Sequence, residues 1–165
     1  MTEDVMKARD VYTDAGVIIS NAVKWSAAAG VIPIPYVDLV ALGAVQFTMV
    51  RDLCSLYHVE ADTKIVQTLV TTTFGSLAPT VVSTGLVGSS LKLIPGGGTL
   101  LGSASVAAFS AAATYAIGKV FVRHFENGGT LQNFSAENIQ DELKDEFASA
   151  NAKAETNKNQ PTPKK

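Results

Sequence analysis

The sequence predicts an all-α protein of helical hairpins built around two long uncharged helices, with an amphipathic helix at each end. Two observations carry this prediction. Residues 65–118 contain one charged side chain, Lys92, which separates uncharged runs of 27 and 26 residues, 65–91 and 93–118. In the flanks, apolar residues recur at the three- and four-residue steps of a helix that is buried on one face. The chain therefore divides into an uncharged centre and charged, solvated flanks.

The first amphipathic helix is predicted over residues 3–27. Its apolar stripe is formed by Val5, Ala8, Tyr12, Ala15, Ile19, Ala22 and Trp25. The charges on its other face nearly cancel, which favours packing against protein over adsorption to anionic lipid. Pro33 and Pro35 then end the helical pattern, because proline lacks an amide hydrogen and restricts the residue before it. A second helix is predicted over residues 36–57, and its first half is apolar on nearly every side.

An apolar hairpin is predicted over residues 65–118. Each uncharged run exceeds the ~20 residues that a helix needs to cross a bilayer core. Pro79 lies near the middle of the first run, and two interpretations follow: one kinked spanning helix, or two short helices of about 13 residues that re-enter or form a soluble core. The turn between the runs is predicted over residues 92–98. Its structural residues are Pro95, Gly96, Gly97 and Gly98.

Small residues crowd the helix predicted over residues 99–126. Four positions lie on one stripe at four-residue steps: Ser103, Ala107, Ala111 and Tyr115. Stripes of small residues let two helix backbones approach closely, which is a favoured packing mode in lipid. An alanine-rich helix in a crowded soluble core shows the same pattern. In either setting, this stripe is predicted to pack helices together.

The carboxyl-terminal part begins with Gly128 and Gly129, a glycine signature for the end of a helix. A last amphipathic helix is predicted over residues 136–150. Residues 151–165 consist largely of Asn, Lys, Gln, Thr and Pro, so they are predicted to form a disordered tail. The sequence thus predicts a single helical domain over residues 1–150.

The composition excludes several classes of function. The formal net charge is −2 and no basic stripe is present, so no nucleic-acid partner is expected. The single cysteine, Cys54, excludes an internal disulfide and fits a reducing compartment. The amino-terminal residues have no apolar run behind a basic segment, so no secretory signal is predicted.

No catalytic, metal-binding or cofactor-binding motif is recognisable, and the sequence favours a non-enzymatic role. Residues 97–103 have the outer glycines of a phosphate-binding loop but lack its lysine. Three polar residues remain as functional candidates: Asp38, Gln67 and His124. Asp38 fits a capping role in the first turn of its helix, or a polar relay if that helix lies in lipid. The helix dipole explains a histidine near a helix end, as at His124, without a metal.

Several motifs occur in the order found in the YcjF-type family, a bacterial domain of unknown function with hydrophobic segments. These motifs are residues 31–38, 49–57, 91–96, 115–118 and 124–130. The chain resembles that family over residues 15–147. The resemblance implies a membrane-linked, helical, non-enzymatic role, and it implies no catalytic residues. In that family the domain occurs alone, in inner-membrane proteins, or behind a dynamin-like or Era-like GTPase domain, so a GTPase would here be a separate partner.

Three hypotheses of function follow. The leading one is a helical protein of the cytoplasmic membrane, with both termini in the cytoplasm, that contacts lipid and self-associates or docks a partner such as a GTPase. The second is a soluble or peripheral helical oligomer of the cytoplasm, in which the uncharged runs form a buried core. The third is a membrane pathway for ions or small solutes, which needs polar groups such as Asp38 and Gln67 in a bundle interior.

Overall fold

The computed structural model describes residues 2–29, 37–77 and 98–158, and all the regular structure in these ranges is helical. The helices are α1 (Thr2–Ala29), α2 (Val37–Leu56), α3 (Thr63–Gly75), α4 (Gly98–Glu126) and α5 (Gln140–Lys158). The all-α prediction is therefore confirmed for the described part of the chain. The hairpin predicted within 65–118 stays a prediction, because residues 78–97 lie outside the described ranges.

Helix α4 is the centre of the bundle and contacts α1, α2, α3 and α5. Its many alanines and glycines present little side-chain bulk, which lets neighbouring helices approach closely. Two contacts show how α1 lies on it: Lys119 meets Tyr12, and Thr114 meets Ser26. As the residue numbers rise along α4, those along α1 fall. The two helices are therefore antiparallel.

The remaining directions follow from contacts of the same kind. Helix α2 runs parallel to α4, because Gln46 meets Thr114 and Tyr57 meets Glu126. Helix α5 runs antiparallel to α4, since one end of it is held to Arg123 by ion pairs and Phe147 lies farther back against Phe109. Helix α3 also returns antiparallel to α2 and places its last turn near the first half of α4. The result is an up-and-down bundle.

The core is apolar and rich in aromatic rings around the second half of α4. Phe121 is fully buried and stacks on Phe134, with 4.3 Å between ring centroids and an angle of 7° between the rings. Phe147 closes the α5 side of this core against Phe109. Cys54 is buried in the same core, and burial raises the pKa of its thiol to about 11.

Helix α3 ends before the proline that the sequence places in the first uncharged run. Asp62 caps its amino end: the carboxylate accepts hydrogen bonds from the amides of Lys64 and Ile65 at 2.8 and 3.0 Å. It ends at Gly75 after 13 residues, and Ser76 caps it. The two predicted interpretations differ over residues 78–91, which lie outside the described ranges, so both stay predictions.

Helix α5 extends beyond the end predicted for it. The sequence analysis predicts a helix over 136–150 and a disordered tail from 151, whereas the structure places the helix at Gln140–Lys158. Leu143 and Phe147 anchor it against the core. The next turns contain Ala152 and Ala154, which have a high intrinsic preference for helix, so the helix continues past its last anchored position. Residues 159–165 lie outside the described ranges.

Several predicted turn residues also lie outside the described ranges. These are Pro33, Pro35, Pro95, Gly96 and Gly97. Gly98, predicted as the last residue of the central turn, is the first residue of α4. Within residues 2–29, 37–77 and 98–158, no helix combines the length and the apolar character that crossing a bilayer requires. The predicted spanning pair is therefore not found in this part of the chain.

Candidate functional site

The bundle separates charged from uncharged residues along its axis. The carboxyl ends of α1 and α3 and the amino ends of α2 and α4 lie at one end, which we call the uncharged pole. Four helical stretches lead to it: residues 15–29, 37–50, 65–77 and 98–118. They contain two charged residues, Lys24 and Asp38, whereas residues 2–14 at the opposite end contain six. The partition seen in the sequence is thus also a partition in space.

The chain connections reinforce this partition. Residues 30–36 join α1 to α2, and residues 78–97 join α3 to α4, and the helix ends that flank both connections lie at the uncharged pole. Their only charged residue is Lys92. Helix α5 also runs toward this pole, on the outside of α4, and carries the exposed Lys153. The uncharged surface therefore belongs to α1–α4, with charge beside it on α5.

Two large apolar side chains are exposed near the uncharged pole. Trp25 on α1 is 67% exposed and Val40 on α2 is 73% exposed. Trp25 borders a groove of about 380 Å³ between α1 and α2, and Val40 borders one of about 400 Å³ between α2 and α3. Ala44 on α2 lines both grooves. The α2 face near this pole is therefore an accessible, mostly apolar surface.

The opposite end of the bundle is held by polar contacts. Tyr57 donates a hydrogen bond to Glu126 at 3.2 Å, and burial together with this carboxylate raises the pKa of Tyr57 to about 12. Arg123 pairs with Glu142 at 2.7 Å and with Glu146 at 3.0 Å. Through these pairs the charged end of α4 fixes the start of α5.

A buried polar cluster joins three helices in the half of the bundle that leads to the uncharged pole. The hydroxyls of Ser26 and Thr114 are 2.7 Å apart, and the Gln46 amide donates to Thr114 at 3.4 Å. All three residues are buried. Their burial was not predicted from the sequence, although Gln46 lies at helical steps from the apolar positions Leu42, Met49 and Leu53. A polar residue at helical spacing from apolar positions was the sequence signal that could have indicated a buried polar side chain.

The stripe of α4 that the sequence predicts to pack helices lies beside the position where α1 approaches α4 most closely, Gly118. Ala107, Ala111 and Tyr115 are half-buried, and the side chain of Ser103 lies outside the described ones. One buried stripe of small residues is Ser110, Thr114 and Gly118, and Ala112 and Ala116 are buried beside it. A Cβ added at Gly118 would lie 2.7 Å from Cγ1 of Ile19, so glycine lets α1 approach there. Small residues lie on almost every side of α4, and the pattern alone therefore does not identify the packed stripe.

The other polar candidates do not meet at one site. Gln67 is exposed on α3 and lines the groove beside Val40. Asp38 lies in the first turn of α2, but its side chain is outside the described ones. Thr73 is fully buried, and its hydroxyl has no hydrogen-bond partner among the described residues. None of these residues is brought near His124, which lies at the charged end.

His124 organises the turn that follows α4. Its Nε2 atom is 2.9 Å from the Thr130 carbonyl oxygen and 2.9 Å from Oδ1 of Asn133. Asn133 also accepts from the Thr130 amide at 2.7 Å, and the His124 ring meets the Phe134 ring edge-to-face. Gly128 has a positive φ of 77°, and the Gly129 amide donates to the His124 carbonyl oxygen. The predicted glycine turn is therefore built around this ring.

Replacing Gly129 with alanine is expected to lower the free energy of unfolding by about 2 kcal/mol, because the added Cβ overlaps the His124 ring. The ring is held at Nε2 by Thr130 and Asn133, so moving it away from the added Cβ would break these two contacts. Urea unfolding followed by circular dichroism measures the loss.

The control is the same substitution in a His124→Ala background. Without the ring the added methyl has room, so the further cost of Gly129→Ala is expected to fall to nearly zero. Gly75→Ala, where no atom lies within 4 Å of an added Cβ, serves as a matched neutral change. Equal losses in the two backgrounds would contradict the proposed contact between His124 and Gly129.

The described residues contain no group of three His, Cys, Asp or Glu side chains that could hold a metal ion. The arrangement offers instead an uncharged pole, apolar grooves beside it and a charged opposite end. Such a distribution suits contact with a nonpolar phase or a partner surface at one pole.

Comparison with known proteins gives two matches. The family described as Domain of unknown function (DUF697) matches residues 3–152. Magnetosome membrane protein 22 of Magnetospirillum gryphiswaldense (strain DSM 6361 / JCM 21280 / NBRC 15271 / MSR-1) is 33% identical over 137 residues, covering 83% of this chain and 70% of that protein. No solved structure matches the chain.

Proposed function

The chain belongs to the DUF697 family, a domain of unknown function, and on that premise we propose that it is a non-enzymatic, membrane-associated helical protein whose uncharged pole contacts lipid. The observation that carries the proposal is the exposure of Trp25 and Val40 at an end of the bundle that is almost free of charge. Tryptophan favours the boundary between lipid and water, where its ring is buried and its N–H stays near polar groups.

Two further findings support contact with lipid. The helix ends that flank residues 30–36 and 78–97 lie at the same pole, and these two stretches contain a single charged residue, Lys92. The relative in Magnetospirillum gryphiswaldense is named a membrane protein. The proposal concerns contact with a bilayer and does not depend on a helix that spans it.

The charged end is proposed to face the cytoplasm and to dock a protein partner. Lys64, Lys119 and Arg123 lie in the part of the bundle away from the uncharged pole. Basic residues tend to stay on the cytoplasmic side of a membrane, which favours this orientation. The resemblance to the YcjF-type family makes a separate GTPase the proposed partner and the inner membrane the proposed location. Self-association through Ala107, Ala111 and Tyr115 stays a prediction. These residues are half-buried, so part of each is accessible to a second copy of the chain.

The lipid contact is tested by flotation of the protein with phosphatidylcholine vesicles. The variant Trp25→Glu/Val40→Glu is expected to bind about tenfold more weakly or worse, since it replaces apolar surface with two charges that lipid disfavours. Both side chains are exposed, so the fold should be retained, and circular dichroism checks this. In the wild-type protein, the fluorescence of Trp25, the single tryptophan, should shift to the blue when vesicles are added.

The matched control is Val5→Glu/Met6→Glu, which places the same charges on exposed apolar positions at the opposite end of α1. Its binding should equal that of the wild type. If the wild-type protein does not float with vesicles, or if both variants lose binding equally, the uncharged pole is not a lipid contact. The soluble helical oligomer would then be the better interpretation.

A further inference from the structure

A groove between α1 and α4 combines an apolar floor with one cation. Its volume is about 300 Å³, which lies at the lower end of the range for ligand sites. Ala15, Ile19 and Val23 line it from α1, and Lys119 lines it from α4. The residues that line it include no carboxylate. The residues that line the groove are therefore uncharged except for Lys119, which supplies one positive charge.

Lys119 forms no ion pair with an acid in the described part of the chain. Its Nζ atom donates to the Tyr12 hydroxyl at 3.0 Å and lies 5.2 Å from the centre of that ring. The hydrogen bond to Tyr12 raises the pKa of Lys119, so the amine stays charged at neutral pH. Glu146 acts on this amine without an ion pair to it, and its carboxylate pairs with Arg123, which also pairs with Glu142. The ammonium group therefore has no carboxylate in direct contact.

The groove points toward the uncharged pole. Tyr12 marks its charged end, and Val23 lies 11 residues farther along α1, about 16 Å at the helical rise per residue. Because α1 runs toward the pole, the apolar floor leads from Lys119 in the direction of the proposed membrane contact. An amphiphile with an anionic head and an apolar chain has the same order of parts.

We propose that this groove binds one anionic phospholipid, with its phosphate at Lys119 and Tyr12 and part of an acyl chain along Ala15, Ile19 and Val23. The inference rests on the proposed function, because the lipid enters from the bilayer at the uncharged pole. A helix from a second copy of the chain would also fill an apolar groove. It would not by itself supply the anion that Lys119 lacks, and we therefore favour the lipid.

The net charge of the protein makes the proposal testable. At −2, the chain as a whole has no reason to prefer anionic vesicles, so a preference requires a local cationic site. Wild-type protein should bind vesicles of phosphatidylcholine with phosphatidylglycerol about fivefold more tightly than phosphatidylcholine alone, the effect of one lysine at a lipid surface.

Two variants should abolish this preference without weakening the binding to phosphatidylcholine. Lys119→Gln removes the charge. Gly16→Leu fills the groove, since no atom lies within 4 Å of a Cβ at Gly16 and the site lines the groove. The controls are Lys64→Gln, which removes an exposed charge elsewhere, and Gly16→Ala, which adds only a methyl group. Both controls should retain the preference.

The outcomes separate this proposal from the proposed function. Failure of the wild type to bind vesicles of either composition would overturn both. Binding to phosphatidylcholine with a preference that Lys119→Gln and Gly16→Leu leave unchanged would overturn the lipid site alone. A change of oligomeric state in Gly16→Leu, seen by sedimentation velocity while the lipid preference is retained, would assign the groove to a second copy instead.

Discussion

Replacing Phe121 with alanine is expected to lower the free energy of unfolding by about 4 kcal/mol, the usual cost of removing a buried phenyl ring and leaving a cavity. The ring is fully buried in α4, stacks on Phe134 and meets Phe125 at 5.9 Å between centroids. It thereby joins the end of the central helix to the turn that carries α5. Urea unfolding followed by circular dichroism measures the change.

The comparison variant is Phe74→Ala, which removes the same atoms from a half-buried ring near Phe109. Its cost should be about half as large, because less surface leaves water and the vacated space is open to solvent. Equal losses at the two sites would mean that the stacked pair of Phe121 and Phe134 does not anchor the carboxyl-terminal part of the fold.

Replacing Gly118 with valine is expected to destabilise the protein by about 3 kcal/mol, the upper part of the range for overpacking a core. The Cβ of any residue there would lie 2.7 Å from Cγ1 of Ile19 and 3.2 Å from Sδ of Met49. Valine adds two further methyl groups at this point, so α1 has to move away from α4. Thermal and urea unfolding both report the loss.

A matched variant places the same side chain at Gly43, where no atom lies within 4 Å of an added Cβ. That substitution should change the free energy of unfolding by about 0.5 kcal/mol or less. Trimming the facing side chain, in Gly118→Val/Ile19→Ala, should recover part of the loss because it restores room for the valine. Wild-type stability in Gly118→Val would contradict the close packing of α1 on α4.

The helical character of the chain was predictable from the sequence, and the exact ends of the helices were not. The spacing of Val5 to Trp25 predicts the amphipathic α1, and the structure bears out its helical state. The end of α3 at Gly75 and the extension of α5 to Lys158 depend on capping and on anchorage by neighbours such as Leu143. These are tertiary or local geometric effects that hydrophobic periodicity does not contain.

The candidate site was only partly predictable. The scarcity of charge over residues 65–118 predicts a surface or core with unusual solvent preference, but the exposed Trp25 and Val40 lie outside this range. The same pattern does not show that the end of α1 and the start of α2 lie at the same pole. Lys119 and Tyr12 are 107 positions apart, and no spacing rule relates them.

By itself the sequence determined the class of fold and the scarcity of charge at its centre. Only the tertiary structure decided which stripe of α4 is packed, that Gly118 is the close approach to α1, and that His124 holds a turn. The physical reason is that alanine, glycine and serine occur on nearly every side of α4, so local pattern leaves several helix faces equivalent. The choice among them is made by side chains from distant parts of the chain, such as Ile19 and Met49, which fit only one of those faces.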